Sequence, residues 1–570
     1  MSDDIVVTVE EGKVRGKIQE DYHGGKFYSF SGIPYGKAPI GDLRFKAPLP
    51  AEPWEGVKDG TKEGYECPSK DMYLGYYIGN EDNCLNLNVY TKELPSRNNV
   101  KKPVMVFIHG GGFMYGCNKS AYFGPHYLMS EDIVLVAINY RLGVFGFLSL
   151  EDQSLGVPGN AGLKDQTLAL KWVQKNINNF GGDPQNVTIF GESAGSASVH
   201  YLTLSPLTKG LFHKAIMQSG SALNPWARGR RNFADIAKAI GYKDADEKTV
   251  FQKLCRASAR SLVSAQFKIE DSFFASLVRP LGPVIEYPHE GAFLTEDPEE
   301  IIKSGKNHQI PMIIGYNSLE GLFYEIMRKT RNDANLPKNL ERDIPYDLNI
   351  LKNQNQVQEV AQKMKEFYYK SSDLSESNIH CRYMLVSDVH FVYGIQKSAT
   401  LLKRHGTAPV YVYRMSLNSS LNYFKKFCEV KYFKTMILVT LMTKLAGSSS
   451  LKGVFQSLYE KLPANKVDGV SHADDLFYLF TTFFSPTIVR GSEEDISIQK
   501  FVKPWTNFAK YGNPTPEKDE TLNGVIWKPI ESEEVDNIFD INKEVTITKN
   551  LECDRVSFWE KMYQQYAERV

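Results

Sequence analysis

The run Asn186-Val187-Thr188-Ile189-Phe190, the turn Gly191-Glu192-Ser193-Ala194-Gly195 and the following Ser196-Ala197-Ser198-Val199-His200-Tyr201-Leu202 read in order as a strand, a glycine-flanked bend and a helix. A serine at such a bend sits in strained backbone with its hydroxyl raised above the sheet edge. Residues two places either side must be small for strand and helix to pass each other. Ser193 is therefore a candidate nucleophile. Upstream, Val104-Met105-Val106-Phe107-Ile108 runs into His109-Gly110-Gly111-Gly112-Phe113, a second buried strand ending in glycines. Attack on an ester carbonyl creates an oxyanion, and backbone N–H groups reach it only where no side chain intervenes. Gly111 and Gly112, with the N–H of Ala194, are the expected donors. The competing readings are a flexible glycine loop and a phosphate cradle; no Gly-Lys-Ser/Thr follows, which disfavours the cradle.

The surrounding pattern is α/β. Ile133-Val134-Leu135-Val136-Ala137-Ile138-Asn139 is almost continuously apolar, as a strand covered on both faces would be. Asp165 to Phe180 places Leu168, Trp172, Val173, Ile177 and Phe180 on one helical face and stops at Gly181-Gly182-Asp183-Pro184. Strand, helix and strand in this order form a crossover unit, and the pattern recurs near Pro311-Met312-Ile313-Ile314-Gly315. Ile5 to Val9, Gly12 to Gly16 and Lys26 to Phe30 read as short antiparallel strands, a small N-terminal sheet.

A length of 570 residues alone suggests several domains, but motifs scattered from residue 109 to residue 472 fit one interwoven domain over 1–570. Lys+Arg and Asp+Glu balance at 67 each, and no basic run is long enough to track a phosphate backbone, so nucleic acid is not an expected partner. Asp3, Asp4, Glu10 and Glu11 crowd a start with no apolar core of a signal peptide. The expectation is a cytoplasmic protein, or an extracellular one whose leader has been trimmed. Of seven cysteines, Cys67 and Cys84 are the one pair close enough to suggest a local loop. Asn118, Asn186 and Asn418 stand in glycosylation sequons, with Asn186 expected at the start of a buried strand.

A serine hydroxyl needs a base, and the base needs an orienting carboxylate; spacing does not choose among 11 histidines and 67 acids. Two loop candidates follow apolar runs: Glu320 in Ile314-Gly315-Tyr316-Asn317-Ser318-Leu319-Glu320-Gly321, and His472 in Gly469-Val470-Ser471-His472-Ala473-Asp474-Asp475-Leu476. Their order after the serine, acid then histidine, is that of α/β-hydrolases.

At this point the chain resembles a type-B carboxylesterase of the cholinesterase-like family, most of all the insect α-esterases, over nearly its full length. Matching stretches are Phe30-Ser31-Gly32-Ile33-Pro34-Tyr35, Leu43-Arg44-Phe45, Glu81 to Tyr90, Asn139-Tyr140-Arg141-Leu142-Gly143, Gly159 to Gln166 and Gln218-Ser219-Gly220-Ser221. The resemblance implies an α/β-hydrolase fold with a large, mostly parallel sheet. It implies Ser193 as nucleophile, His472 as base, Glu320 as orienter, and Gly111, Gly112 and Ala194 as oxyanion donors. No metal or organic cofactor is required. Small-molecule esters and organophosphate inhibitors are the implied partners, on a monomer or weak homodimer.

Within the family, choline esterases carry a tryptophan in the loop closed by the first disulfide. Between Cys67 and Cys84 there is none, although Tyr73, Tyr76 and Tyr77 can present aromatic faces. Non-catalytic adhesion relatives usually lack part of the triad, and juvenile hormone esterases typically place Gln where this chain has Glu192. The expected acyl pocket is Trp226, Val278, Arg279, His390 and Phe391, with Arg279 where a hydrophobic residue is expected. Asp475 stands where the family generally has Glu. Residues 418–467 read as an insertion, either an ordinary helix packed on the domain surface or a lid whose apolar face covers the entrance or rests on a membrane or lipid surface. The expected activity is hydrolysis of lipophilic carboxylic esters, in detoxification or lipid ester metabolism. The alternative is a slow-turnover sink for organophosphates or esters.

Overall fold

The computed structural model describes residues 5–72, 75–96, 100–242, 246–269, 281–326, 339–429, 467–483, 485–532 and 535–567. The strands in chain order are β1 (Val6–Val9), β2 (Gly12–Arg15), β3 (Lys17–Glu20), β4 (Lys26–Pro34), β5 (Val57–Asp59), β6 (Ser69–Lys70), β7 (Tyr77–Ile78) and β8 (Asn86–Thr91). They continue with β9 (Lys102–Ile108), β10 (Val134–Ile138), β11 (Gly182–Glu192), β12 (Lys214–Gln218), β13 (Met312–Asn317), β14 (Val410–Met415), β15 (Ile538–Ile541) and β16 (Thr546–Thr548). One sheet of eleven strands runs in the order β16-β15-β14-β13-β12-β11-β9-β10-β8-β4-β3. From β10 to β15 the neighbours are parallel, and the edge strands at both ends are antiparallel.

Continuously apolar central strands arise because each face of the sheet has its own cover. Along β9, Val104, Val106 and Ile108 join one core with the helices Ala161–Asn176 and Ala194–Leu204, while Met105 and Phe107 point to the opposite core. That second core is closed by the helix Glu493–Tyr511 through Ile498, Phe501, Trp505 and Phe508. The expected helix over Asp165–Phe180 starts earlier, at Ala161, and its last turn, Ile177–Phe180, tightens to a 3₁₀ turn.

The N-terminal region departs from the expected arrangement. β1 and β2 pair antiparallel, but the third strand of their small sheet is β5, added parallel. Lys26–Pro34 leaves that sheet for the large one, where β4 pairs with β8. Strand β11 also begins earlier than expected, so Asn186 lies inside it, half-buried, accepting a hydrogen bond from Lys214 Nζ. Asn118 is buried and Asn418 is exposed.

Cys67 and Cys84 are joined in a disulfide. Arg44 fixes the same loop by a two-nitrogen grip on Glu81, 2.6 and 2.7 Å long. Of the lid-like segment, 430–466 lies outside the described residues. Its described beginning, the helix Tyr423–Glu429, is packed: Tyr423 and Phe427 join the second core. Among the described residues no helix is long and apolar enough to cross a membrane.

Arg141 and Asp165 form a fully buried pair, with guanidinium nitrogens 2.7 and 2.6 Å from the carboxylate and the Arg141 N–H 3.0 Å away. Removing one partner strands the other charge without solvent. Asp165→Ala should therefore lower unfolding free energy by about 3–5 kcal/mol in urea titrations. Glu52→Ala, which breaks the exposed Lys37–Glu52 pair, should cost no more than about 1 kcal/mol. Equal losses would mean that the buried pair is compensated by its surroundings.

Candidate active site

The carboxyl ends of the parallel strands converge on one spot, the usual place for a site in a sheet of this kind. β9 ends at Ile108 and delivers the glycine loop, β11 ends at Glu192 and delivers Ser193, and β12 ends at Gln218. β13 ends at Asn317, three residues before Glu320. Ser193 has φ 58° and ψ −122°, a conformation an L-residue holds only when its surroundings enforce it. The enforcement is close approach of backbone. A Cβ on Gly195 would lie 2.0 Å from the Ile108 carbonyl oxygen, and one on Gly191 2.5 Å from the same atom. The small residues expected at those two positions have this physical reason.

His472 Nε2 lies 2.9 Å from Ser193 Oγ, and His472 Nδ1 donates to Glu320 Oε2 at 2.7 Å. The second Glu320 oxygen accepts from Ser219 Oγ at 2.6 Å and from the Asn317 N–H at 2.7 Å. Glu320 is fully buried and its orientation is set from both sides. The loop carrying His472 is stitched to the end of β13. Asn317 Nδ2 donates to the Ser471 carbonyl, the Leu319 N–H to the Val470 carbonyl, and the Val470 N–H to Ser318 Oγ.

On the glycine loop, Gly111 (φ 105°) and Gly112 (φ 60°) adopt backbone that favours glycine. The N–H groups of Met114 and Tyr115 both donate to the Gly111 carbonyl, which fixes the turn. A Cβ on Gly110 would come within 3.1 Å of Ser193 Cβ, so this loop lies directly against the serine. Among the described residues, the N–H groups of Gly111, Gly112 and Ala194 donate to no protein acceptor. Ala194 opens the helix Ala194–Leu204, where the N–H groups of the first turn lack intrahelical partners. This constellation can receive an oxyanion.

An aromatic wall flanks the histidine. The Phe391 ring is 4.4 Å from His472, Trp226 is 5.9 Å from Phe391, and Phe113 is 6.5 Å from Trp226. Between the helices Ile379–Ser387 and Tyr393–His405 the backbone widens to a π-type turn, Asp388–Val392. Asn224 Nδ2 donates to the carbonyls of His390 and Phe391, and Trp226 Nε1 to that of His390. His390 thus holds Trp226 by its backbone. Val278 and Arg279 lie outside the described residues. Phe323, 5.3 Å from His472, belongs to the wall and was not among the expected pocket residues. Ser219, which donates to Glu320, carries no signal in the sequence beyond its place in Gln218-Ser219-Gly220-Ser221.

Three acids surround the imidazole. Glu192 Oε1 lies 3.1 Å from His472 Nε2, within ion-pair distance but without hydrogen-bond geometry. Burial pushes the Glu192 carboxyl up to about 8, against the pull of His472 and helped by Asp475 and Glu320. For His472, burial disfavours the charged ring. Glu192, the Glu320 hydrogen bond and Asp475 outweigh it, and the imidazole is pushed up to about 9. Asp475, shorter than the glutamate expected there, is still satisfied: Gln218 Nε2 at 2.8 Å and Tyr413 OH at 3.1 Å donate to it. Burial raises its carboxyl above the ordinary range.

The Carboxylesterase family profile matches residues 3–559. The chain belongs to the carboxylesterase family. It is 35% identical over 541 residues to esterase FE4 of Myzus persicae, covering 93% of this chain and 87% of that protein. It is 35% identical over 590 residues to the juvenile hormone esterase of Tribolium castaneum (98% and 93%), and 33% identical to esterase B1 of Culex pipiens over 571 residues (98% of each). The crystal structure of juvenile hormone esterase from Manduca sexta, with OTFP covalently attached, superposes with a TM-score of 0.79 at 30% identity. The match covers 99% of this chain and 100% of that one. The fold is that of an α/β-hydrolase, and this carboxylesterase is a carboxylic-ester hydrolase.

The electrostatics of the esterase give a pH prediction. A base accepts a proton only when neutral, and His472 sheds its proton as pH rises toward about 9. The acid limb of kcat/KM should therefore lie above the ordinary imidazole value of about 6.5. Glu192→Gln removes a charge that holds the proton on, and should move that limb down by about one unit or more. A limb that stays in place across a full pH series would mean that Glu192 carries no charge in the working enzyme.

Proposed function

We propose that this carboxylesterase hydrolyses lipophilic carboxylic esters through an acyl-enzyme on Ser193. The observation that carries the proposal is the relay of Ser193, His472 and Glu320, at 2.9 and 2.7 Å, beside three N–H groups without protein acceptors. Ser193 Oγ attacks the carbonyl carbon while His472 Nε2 takes its proton, and the developing oxyanion is held by Gly111, Gly112 and Ala194. His472 then returns the proton to the alcohol oxygen as the ester C–O bond breaks. Water repeats the sequence on the acyl-enzyme, releasing the acid and restoring the serine. Glu320 stabilises the imidazolium in both halves. The aromatic wall of Phe113, Trp226 and Phe391 favours apolar acyl or alcohol groups. The role proposed on that basis is clearance of xenobiotic esters or metabolism of lipid esters. Juvenile hormone esters rank behind these, because Glu192 occupies the position where glutamine is expected for that activity.

A second reading, a slow-turnover sink, uses the same serine: Glu192, 3.1 Å from His472 Nε2, favours the charged imidazole, and each turnover needs it neutral. A burst experiment with excess p-nitrophenyl butyrate separates the two. Sustained release of nitrophenol supports turnover, and one equivalent followed by arrest supports the sink.

Ser193→Ala should abolish either behaviour with the fold retained, and an organophosphate should add to Ser193 in mass spectra of the wild type. Glu320→Gln should leave KM near wild type and slow acylation by several orders of magnitude. An adduct on another serine, or hydrolysis by Ser193→Ala at the wild-type rate, would overturn the assignment.

A further inference from the structure

His472 is the second residue of a four-residue turn, 471–474, which is closed by the Asp474 N–H donating to the Ser471 carbonyl at 3.2 Å. The third residue of that turn, Ala473, has φ 67° and ψ 3°, left-handed backbone that glycine usually supplies at such a position. Alanine adopts it only against its own preference, so the backbone that aims the base has to be held from outside.

Asp474, fully buried, supplies that hold. Its Oδ2 accepts from the Ser471 N–H at 3.1 Å, which closes the turn a second time through the side chain. Its Oδ1 accepts from the Lys425 N–H at 3.2 Å. Lys425 lies in the first turn of the helix Tyr423–Glu429, where N–H groups lack partners within the helix. Further along the same helix, Cys428 Sγ is 3.7 Å from Ser471 Oγ. Burial pushes the Asp474 carboxyl up to about 8, against the pull of the backbone N–H groups of Lys425, Ser471 and Phe424. In either protonation state both oxygens of a carboxyl can accept an N–H, whereas an amide presents one acceptor and an NH₂ donor.

The other anchors of this loop act elsewhere. Asn317 and Ser318 hold it before His472, at Ser471 and Val470, and the Asp475 side chain, beyond the turn, accepts from Gln218 and Tyr413. None of these spans Ala473. The Asp474 side chain does, because it leaves the chain just after Ala473 and ends on the N–H of the residue before His472.

We propose that Asp474 is a positioning residue for the reaction: by closing the turn on itself and docking it on the helix Tyr423–Glu429, it keeps Ala473 left-handed and His472 Nε2 on Ser193 Oγ. This role presupposes His472 as the base proposed above. It also gives the helix near the head of the 418–467 segment a direct bond to the loop that carries the base.

A cycle of Asp474→Asn and Ala473→Gly, alone and combined, tests the role through kcat and KM for p-nitrophenyl butyrate. Asp474→Asn sets an NH₂ against a backbone N–H, so kcat should fall about tenfold while KM stays within about twofold of wild type. Glycine takes left-handed backbone without strain, so in the Ala473→Gly background the same change should cost less than about threefold in kcat. Equal losses in the two backgrounds, a loss confined to KM, or a wild-type kcat for Asp474→Asn overturns the positioning role. Where Asp474→Asn alone does not fold, the double variant decides. Folded protein with kcat within about threefold of Ala473→Gly supports the role, and a larger loss or unfolded protein overturns it. Hydrolysis retained by Ser193→Ala would instead overturn the relay itself, which keeps the two failures distinct.

Discussion

The contact between the Ile108 carbonyl and the two glycines that flank Ser193 governs the rest of the site. With Gly191 and Gly195 both pressed onto that oxygen, the bend at Ser193 has no room to relax, and its φ of 58° is imposed by packing. The same approach brings the end of β9 against the start of the helix Ala194–Leu204, so the loop leaving β9 has to pass beside the serine. The placement of Ser193 beside the N–H groups of Gly111, Gly112 and Ala194 is thus a consequence of one backbone contact. β12 extends the constraint: a Cβ on Gly220 would meet the Ser193 carbonyl at 2.5 Å, and Ser219, next to it, bonds Glu320.

Charge is the second constraint. Glu192, Glu320, Asp475 and His472 are all buried, and one imidazolium cannot balance three carboxylates in so little water. The environment sorts them. Glu320 has three donors, from His472, Ser219 and Asn317. Glu192 has His472 within ion-pair distance, no hydrogen bond of its own, and a carboxyl pushed up to about 8. The contact of Glu192 with His472 therefore favours a proton at this pair.

The central strands were legible because both faces of the sheet are covered, so β9 and β10 read as apolar runs with no need for alternation. The bend at Ser193 was legible because its steric demand falls on two residues in immediate sequence. The partners of the serine were not. Glu320 and His472 are 152 residues apart, and Ser193 and His472 are 279 apart. Their proximity is produced by strand order, which spacing does not encode, and only likeness to a family picked them out. Phe323 and Ser219 escaped for a related reason: each acts by where a neighbouring strand places it. The N-terminal sheet was misread at β4 because strand partners are set by topology: β4 lies between β8 and β3 in the large sheet, which the short run Lys26 to Phe30 does not encode.

The return path of the oxyanion loop explains why asparagines recur among the stretches that resemble the family. Asn118, just past the loop, receives a bond from Asn88 Nδ2 on its carbonyl and donates its own N–H to Asn139 Oδ1 at 2.7 Å. Asn118 Nδ2 reaches Asn86 Oδ1 at 3.2 Å, and Asn86 Nδ2 in turn holds the Tyr65 and Asn83 carbonyls near the disulfide loop. An amide offers donors and an acceptor without charge, so four of them can cross-link three segments in a dry interior at no cost in ion desolvation. The network ties β8, β10, the disulfide loop and the loop beyond Gly112 into one unit. Residues 117–120 therefore anchor the glycine loop on one side and meet Gly64 and Glu63 through Lys119 and Ser120 on the other.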